Sequence, residues 1–241
     1  FLFCRGGHNQ AQRHYIKEAC HLKIEIINYT KNLSHNCVLN NISLTLESGH
    51  IYGFTGKNGS GKTMLMRAVC GLITPSSGEV RIDGKVLGRD ISFPESVGVL
   101  IENPGFTSSF SGFKNLKFLA QIQNRINDED IKSAMENVGL DPEDKKSFRK
   151  YSLGMKQKLG IAAAIMEKPK LLILDEPFNA LDEETVNKIR GIIKSYKSKD
   201  HIVILSCHDR DEIDSLCDMI IEIKSGAISN IIRTEKDTAY E

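Results

Sequence analysis

The stretch "GFTGKNGSGKTMLMRAVCGL", residues 53–72, sets three glycines and a Lys-Thr pair, all within residues 56–63, directly before an apolar helical pattern. Glycine tolerates positive φ, so successive backbone N–H groups in such a loop can point at one focus and form an anion-binding concavity. The helix predicted over residues 63–71 adds the positive end of its dipole to the same focus. The stretch therefore predicts a phosphate-binding loop between a strand and a helix.

The loop fits the pattern G-x-x-x-x-G-K-[ST], in which the lysine can reach β- and γ-phosphates and the hydroxyl can ligate Mg²⁺. Its predicted nucleotide-binding residues are Gly56, Lys57, Asn58, Gly59, Ser60, Gly61, Lys62, Thr63 and Met64. A plain glycine turn before a helix is the alternative, and the order of strand, loop, Lys-Thr and helix disfavours it. Kinases, GTPases, helicases and transport ATPases all use this loop, but no N-K-x-D guanine-reading motif follows it, which disfavours GTP.

Composition limits the class of protein. The 241 residues include 26% charged and 40% hydrophobic residues, which is typical of a globular domain. The net charge is only +1, so the chain as a whole has no excess of positive charge that would attract nucleic acid. No apolar run approaches the ~18–20 residues of a membrane span, and "FLFC" at the start is not typical of a signal peptide. Six cysteines without a C-x-x-C pair indicate reduced thiols in a cytoplasmic protein.

The sequence predicts an N-terminal extension, residues 1–21, and an α/β domain that carries the phosphate-binding loop, residues 22–241. The extension has no clear period, and we expect it to be poorly ordered. In the domain, apolar strands alternate with helices, which predicts a mostly parallel sheet with an N-terminal antiparallel β part. Helical patterns fill about residues 103–168 and predict a helical subdomain, with Asn127 capping one helix, Ser152 starting another and Pro169 stopping it.

The strand "LLILDEP", residues 171–177, ends in two adjacent carboxylates. A buried strand of this type delivers Asp175 to the sheet edge where the glycine loop also lies, so Asp175 can hold Mg²⁺. Glu176 points to the other side and can polarise an attacking water. A strand followed by a solvated acidic turn is the alternative interpretation.

The motifs "GKNGSGKT", "YSLGMKQKLGIA", "LLILDEPFNALD" and "LSCHD", in this order across about residues 22–232, resemble the nucleotide-binding domain of an ABC transporter. "IENPGF" and "YSLGMKQKLGIA" further resemble the bacitracin-export and lantibiotic-immunity branch. The resemblance implies ATP hydrolysis, a membrane permease partner at the cytoplasmic face of the membrane, and pairing with a second copy or a paralogous subunit. It implies export of a peptide antibiotic or another hydrophobic compound, and no nucleic acid partner.

The resemblance also assigns roles to individual residues. Glu176, His208 and Lys62 are the implied catalytic residues, with His208 contacting the γ-phosphate and orienting Glu176. The implied signature loop, which faces the phosphate bound by the other subunit, is formed by Ser152, Leu153, Gly154 and Met155. Asp182 falls in the loop that couples the two sites, and the implied metal residues are Thr63, Asp175 and Glu102.

Several positions depart from the family pattern, Met64 among them, since it follows Thr63 where a second hydroxyl is usual. Leu33 stands where an aromatic ring usually stacks on adenine, which predicts weak base discrimination unless Tyr29 substitutes. Glu102 replaces the usual glutamine beside Mg²⁺, and we expect it to raise the Mg²⁺ demand without replacing Glu176 as the base. The signature loop reads Tyr-Ser-Leu-Gly-Met over residues 151–155 rather than L-S-G-G-Q, but it keeps the serine and second glycine that contact phosphate.

Two other functions stay open at this point. One is a soluble ABC-type ATPase acting on nucleic acid or the ribosome, which the single domain and the near-zero net charge disfavour. The other is a nucleotide-binding regulator that does not hydrolyse, which the intact set Lys62, Asp175, Glu176 and His208 disfavours.

Overall fold

A computed structural model of the chain describes residues 21–34, 36–102 and 105–234. The predicted N-terminal extension lies outside the described residues except for His21, whose Nδ1 is 3.2 Å from the carbonyl oxygen of Lys199.

The larger of two sheets has six strands in the order β10-β9-β3-β8-β7-β6. Its strands are β3 (Ile51–Thr55), β6 (Val97–Leu100), β7 (Leu171–Asp175), β8 (Ile202–Ser206), β9 (Met219–Lys224) and β10 (Ala227–Arg233). All neighbours pair in parallel except β10, which is antiparallel to β9. The prediction of a mostly parallel sheet is confirmed.

The central strands are apolar on both faces because both faces are covered. Along β7, Leu172 and Leu174 pack into one core and Leu171 and Ile173 into the other. Continuous apolar runs are what strands in a doubly covered parallel sheet require, since successive side chains point to opposite faces.

The smaller sheet is antiparallel, in the order β2-β1-β4-β5. It contains β1 (Lys23–Leu33), β2 (Asn36–Glu47), β4 (Ser77–Ile82) and β5 (Lys85–Val86). Ile42, Leu44 and Leu46 of β2 are buried at alternate positions, as predicted. Asp83 and Gly84 both have positive φ, 49° and 78°, which gives the tight turn that the sequence predicted between β4 and β5.

Six α-helices complete the described part of the chain: α1 (Lys62–Val69), α2 (Gly112–Gln123), α3 (Asp128–Asn137), α4 (Leu153–Ile165), α5 (Glu183–Ser195) and α6 (Arg210–Leu216). α1 lies between the two sheets, and α2, α3 and α4 form the helical subdomain against the other face of the large sheet. Asn127 caps α3 through a capping box with Asp130, and Ser152 caps α4, as predicted. Among the described residues, no helix is long and apolar enough to cross a membrane.

Candidate functional site

The glycine loop connects β3 to α1, and its backbone can be built only with glycine at the critical positions. Gly56, Gly59 and Gly61 have φ of 144°, 75° and 113°. A Cβ on Gly56 would lie 2.2 Å from the carbonyl oxygen of Ile223, so that position also requires a residue without a side chain. The loop therefore has the positive-φ conformation that points amides toward one focus.

Lys62 is the first residue of α1, and its ammonium stays at the loop. Lys62 Nζ donates hydrogen bonds to the carbonyl oxygens of Gly56 at 2.7 Å and Lys57 at 3.3 Å. The side chain is buried, so a positive charge is held close to the amides of the loop. Together with the N-terminus of α1, this arrangement favours a polyanion.

Asp175 lies beside Thr63, although 112 residues separate the two in sequence. Thr63 Oγ1 donates to Asp175 Oδ2 at 2.7 Å, because β7 ends at the sheet edge where α1 begins. A hydroxyl and a carboxylate oxygen side by side are hard donors of the kind that Mg²⁺ prefers. The donor set at this position therefore fits Mg²⁺.

Glu176 follows Asp175 and faces His208. His208 Nε2 is 3.2 Å from Glu176 Oε1, within reach of an ion pair but not aligned for a hydrogen bond. Burial raises the pKa of the Glu176 carboxyl and the charge of Asp175 acts in the same direction, while His208 and Lys62 oppose them. A carboxyl group with a raised pKa beside a histidine suits proton transfer.

These groups surround one cavity of about 400 Å³, lined by Val38, Asn58, Gly59, Ser60, Gly61, Lys62, Thr63, Met64, Asp175, Glu176 and His208. Within the described part of the chain, two buried polar atoms at this cavity, Ser60 Oγ and Glu176 Oε1, have no hydrogen-bond partner. Buried polar atoms are nearly always paired, so unpaired ones mark a place where a polar ligand completes the bonding. Most of the predicted site residues thus converge here.

A larger cavity, of about 650 Å³, lies between α3 and α5 and is lined in part by Asn137, Lys168 and Tyr196. The glycine loop and the carboxylates at the end of β7 are not part of its lining. The smaller cavity is the better candidate because it holds the unpaired polar atoms and the chemically reactive side chains.

The signature residues and Asp182 do not line the cavity of their own chain. Ser152 Oγ accepts from Met155 N at 3.2 Å, and Leu153 is exposed. Asp182 caps α5 by accepting from Thr185 N at 2.8 Å, a backbone hydrogen bond that lowers the pKa of this carboxyl. A Cβ on Gly154 would lie 2.7 Å from the carbonyl oxygen of Ala180, so the signature loop packs directly against the segment before Asp182.

Leu33 and Glu102, two positions that depart from the family pattern, also do not line the cavity of about 400 Å³. Leu33 is 44% exposed, at the end of β1, whereas Tyr29 is buried with its hydroxyl donating to Ile73 O. Burial raises the pKa of Tyr29 to about 12, and its ring is packed in the core rather than offered to a base. Glu102 Oε2 is 2.8 Å from Arg67 Nη2 on α1, so its role as a metal residue stays a prediction.

Two residues that bond Glu176, and Val38 in the cavity lining, were not identified from the sequence. Ser206 Oγ accepts from Glu176 N at 3.1 Å and donates to Asp175 Oδ1, and Gln157 Nε2 donates to Glu176 O at 2.9 Å. Ser206 could have been found, because it is a polar residue that ends the apolar run "HIVILS" of a buried strand. No sequence pattern around Gln157 indicates that its side chain bonds the backbone of Glu176.

Comparison with known proteins places the chain among its relatives. A family profile described as "ABC transporter" matches residues 39–179. An uncharacterized ABC transporter ATP-binding protein, YybJ of Bacillus subtilis (strain 168), is 46% identical over 85% of this chain and 94% of its own length. The bacitracin transport ATP-binding protein BcrA of Enterococcus faecalis is 42% identical over 82% of this chain and 65% of its own length.

Two further comparisons agree. The lantibiotic transport ATP-binding protein SrtF of Streptococcus pyogenes is 34% identical over 89% of this chain and 91% of its own length. The solved dimeric structure of the ABC transporter cassette MJ0796 shares the fold, with a TM-score of 0.79 and 20% identity over 87% of this chain and 98% of that one. By its motifs, its fold and these relatives, the chain belongs to the ABC transporter family, among its ATP-binding proteins.

Proposed function

We propose that this protein is the ATP-hydrolysing subunit of an ABC transporter and that Glu176 is its general base. The observation that carries the proposal is the convergence of Lys62, Thr63, Asp175, Glu176 and His208 on one cavity that retains unpaired buried polar atoms. Strand, loop and helix supply a positive, amide-rich floor for the phosphates. The two carboxylates and the histidine line the same cavity.

Each side chain has a defined task in this reaction. Lys62 and the loop amides bind the β- and γ-phosphates and offset their charge. Thr63 and Asp175 would hold Mg²⁺, which when bound neutralises charge on the phosphate oxygens. Glu176 takes a proton from the attacking water, and His208 keeps the carboxylate and the γ-phosphate in register.

The site is completed by a second cassette, either another copy of this chain or a paralogous subunit. Ser152 and the start of α4 form a hydroxyl-capped helix N-terminus that does not line the cavity of its own chain. Such a helix end suits a phosphate presented by a partner. ATP then stabilises the closed pair because it binds the closed pair better than the open one.

The helical subdomain is the proposed docking surface for a membrane permease. Phe118, Leu119 and Ile122 of α2 are large apolar side chains left exposed on the helical subdomain. A cluster of this kind is typical of an interaction surface. A permease bound there would place the subunit on the cytoplasmic face of the membrane.

The transported compound is proposed from relatives alone. BcrA and SrtF are named for bacitracin and lantibiotic transport. We infer that the substrate is a peptide antibiotic or a similar hydrophobic compound, exported by the complex. The net charge of +1 offers no comparable support for a nucleic acid partner.

The decisive experiment replaces the base. Glu176→Gln should abolish phosphate release yet leave nucleotide binding, so that ATP accumulates in a closed pair that elutes as a dimer in gel filtration. Glu184→Gln, at an exposed position on α5, is the matched control and should hydrolyse ATP at the wild-type rate. Continued hydrolysis by Glu176→Gln would contradict the proposal, and a monomer at saturating ATP would contradict pairing with a second copy of this chain.

A further inference from the structure

Glu176 has a backbone conformation that needs support. Its φ is 50°, in the left-handed region that residues with a side chain seldom adopt. Such a conformation persists only where the surroundings impose it, and it commonly does so at functional sites. The question is which groups impose it here, because the backbone at this residue decides where its carboxylate points.

Ser206 holds the amide side of Glu176. Glu176 N–H is shared between Ser206 O at 3.2 Å and Ser206 Oγ at 3.1 Å. The same hydroxyl donates its proton to Asp175 Oδ1, while Asp175 Oδ2 accepts from Thr63. Ser206 is 0% exposed, so no solvent competes for these bonds. One hydroxyl thus fixes two neighbouring carboxylate residues relative to each other.

Gln157 holds the carbonyl side. Gln157 Nε2 donates to Glu176 O at 2.9 Å from the second turn of α4, whose N-terminus is capped by Ser152. Asn179 N also approaches this carbonyl, at 3.3 Å. The peptide groups on both sides of the Glu176 Cα are therefore restrained, one from β8 and one from α4.

We propose that Ser206 and Gln157 are positioning residues that together hold Glu176 in its left-handed conformation, with Ser206 also fixing the orientation of Asp175. The proposal rests on the proposed role of Glu176 as the base. The two residues differ in what else they affect: Ser206 positions both Asp175 and Glu176, whereas Gln157 positions Glu176 alone. It also gives the helix behind the signature loop a direct bond to the base of its own chain.

The first test separates turnover from binding. Ser206→Ala and Gln157→Glu should each lower kcat for ATP about ten- to hundredfold, as small displacements of a catalytic group do. The KM for ATP should stay within about twofold in Gln157→Glu, since this residue does not line the nucleotide cavity, and rise several-fold at most in Ser206→Ala, which also disturbs Asp175. Gln157→Glu keeps the shape of the side chain but removes the donor, and Ser206→Ala leaves the bond from Glu176 N–H to Ser206 O. Gln123→Glu, the same substitution at an exposed position at the end of α2, is the control and should keep the wild-type kcat.

The second test needs no turnover. With ATP bound in the Glu176→Gln background, Mn²⁺ affinity measured by electron paramagnetic resonance should fall several-fold on adding Ser206→Ala and stay unchanged on adding Gln157→Glu. Wild-type kcat in both single variants, or a loss of kcat matched by a loss of ATP affinity and of melting temperature, would overturn the inference. Equal Mn²⁺ affinity in both double variants would overturn the part that concerns Asp175. An active Glu176→Gln would instead refute the proposed function, so the two failures are distinguishable.

Discussion

At the scale of single residues, Leu33 bears on the choice of nucleotide base. Leu33 is partly exposed and has no ring, and the nearby Tyr29 is packed in the core. We predict that ATP and GTP are hydrolysed at comparable rates. Leu33→Tyr should strengthen ATP binding by about 1–3 kcal/mol, the usual contribution of stacking one base on a ring.

Equilibrium titration with both nucleotides measures this effect. Ile231→Tyr, at a similarly exposed position on β10, controls for adding a ring to the surface and should leave both affinities unchanged. A strong preference of the wild-type protein for ATP would show that another group reads the base.

Glu102 bears on the demand for Mg²⁺. Its carboxylate pairs with Arg67 and is 59% exposed, and exposed pairs of this kind contribute only about 0–1 kcal/mol. The pair therefore offsets little of the negative charge that Glu102 adds in place of the usual glutamine, and extra Mg²⁺ is needed to compensate for that charge beside the phosphates. We predict that Glu102→Gln keeps hydrolysis and lowers the Mg²⁺ concentration that supports half-maximal phosphate release.

Titration of phosphate release with MgCl₂ tests the prediction. Glu95→Gln, another exposed carboxylate that pairs with a cation, is the control. Loss of hydrolysis in Glu102→Gln together with full hydrolysis in Glu176→Gln would show that the roles of the two residues are exchanged.

Residues that belong to a recognisable motif were predictable, even Thr63 and Asp175, which are 112 residues apart, and contacts that no motif marks were not. The glycine loop is contiguous, so its spacing alone predicts its chemistry. Ser206 and Gln157 are 30 and 19 residues from Glu176, and their contacts depend on the register between β7 and β8 and on the rotation of α4. Neither quantity is encoded in a local pattern.

At the scale of elements, Gly98 sets how closely α4 approaches the large sheet. A Cβ at Gly98, in β6, would lie 1.8 Å from the carbonyl oxygen of Ala164 in α4. We predict that Gly98→Ala pushes the helix from the sheet and lowers the free energy of unfolding by roughly 1–3 kcal/mol, as overpacking does. Chemical denaturation measures the loss.

Gly191 provides the opposite control. It lies inside α5 and a Cβ there would meet nothing within 4 Å. Gly191→Ala should therefore raise stability by about 0.5–1 kcal/mol through helix propensity alone. Two Gly→Ala substitutions that change the free energy of unfolding in opposite directions separate the effect of packing from that of helix propensity. If Gly98→Ala is as stable as the wild type, α4 can move away from the sheet without cost.

Helix starts were predictable where a cap is isolated and not where polar residues cluster. Asn127 and Ser152 mark α3 and α4 correctly. No isolated cap marks α2, which begins at Gly112 after Ser111, one of three serines within residues 108–111. Asn115 is buried and its side chain bonds the backbone of Thr107 and Ser111, so it braces the turn before the helix from a position inside it.

At the scale of the whole molecule, the alternation of strands and helices predicted a mostly parallel sheet, but strand order could not follow from it. β3 is flanked by β8 and β9, which come some 150 residues later in the chain. This crossover brings the loop after β3 next to the ends of β7 and β8, where Asp175, Glu176 and His208 lie. The site is therefore a product of topology as much as of its motifs.

The same topology leaves the signature loop on a different surface, so each proposed site needs two cassettes. Two variants that are each inactive alone should then recover ATP hydrolysis when they are mixed. Lys62→Ala removes the phosphate lysine, while Ser152→Asp keeps a good helix cap but sets a negative charge against the incoming phosphate. In a mixed pair, one site carries both defects and the other carries neither.

If pairing is random, half of the pairs are mixed and each has one intact site, so phosphate release should recover to about a quarter of the wild-type rate. Mixing Lys62→Ala with the double variant Lys62→Ala/Ser152→Asp is the control, because no pairing of those chains yields an intact glycine loop. If the first mixture stays as inactive as its components, Lys62 and Ser152 do not meet across two chains, and the phosphate contact proposed for the start of α4 has to be abandoned.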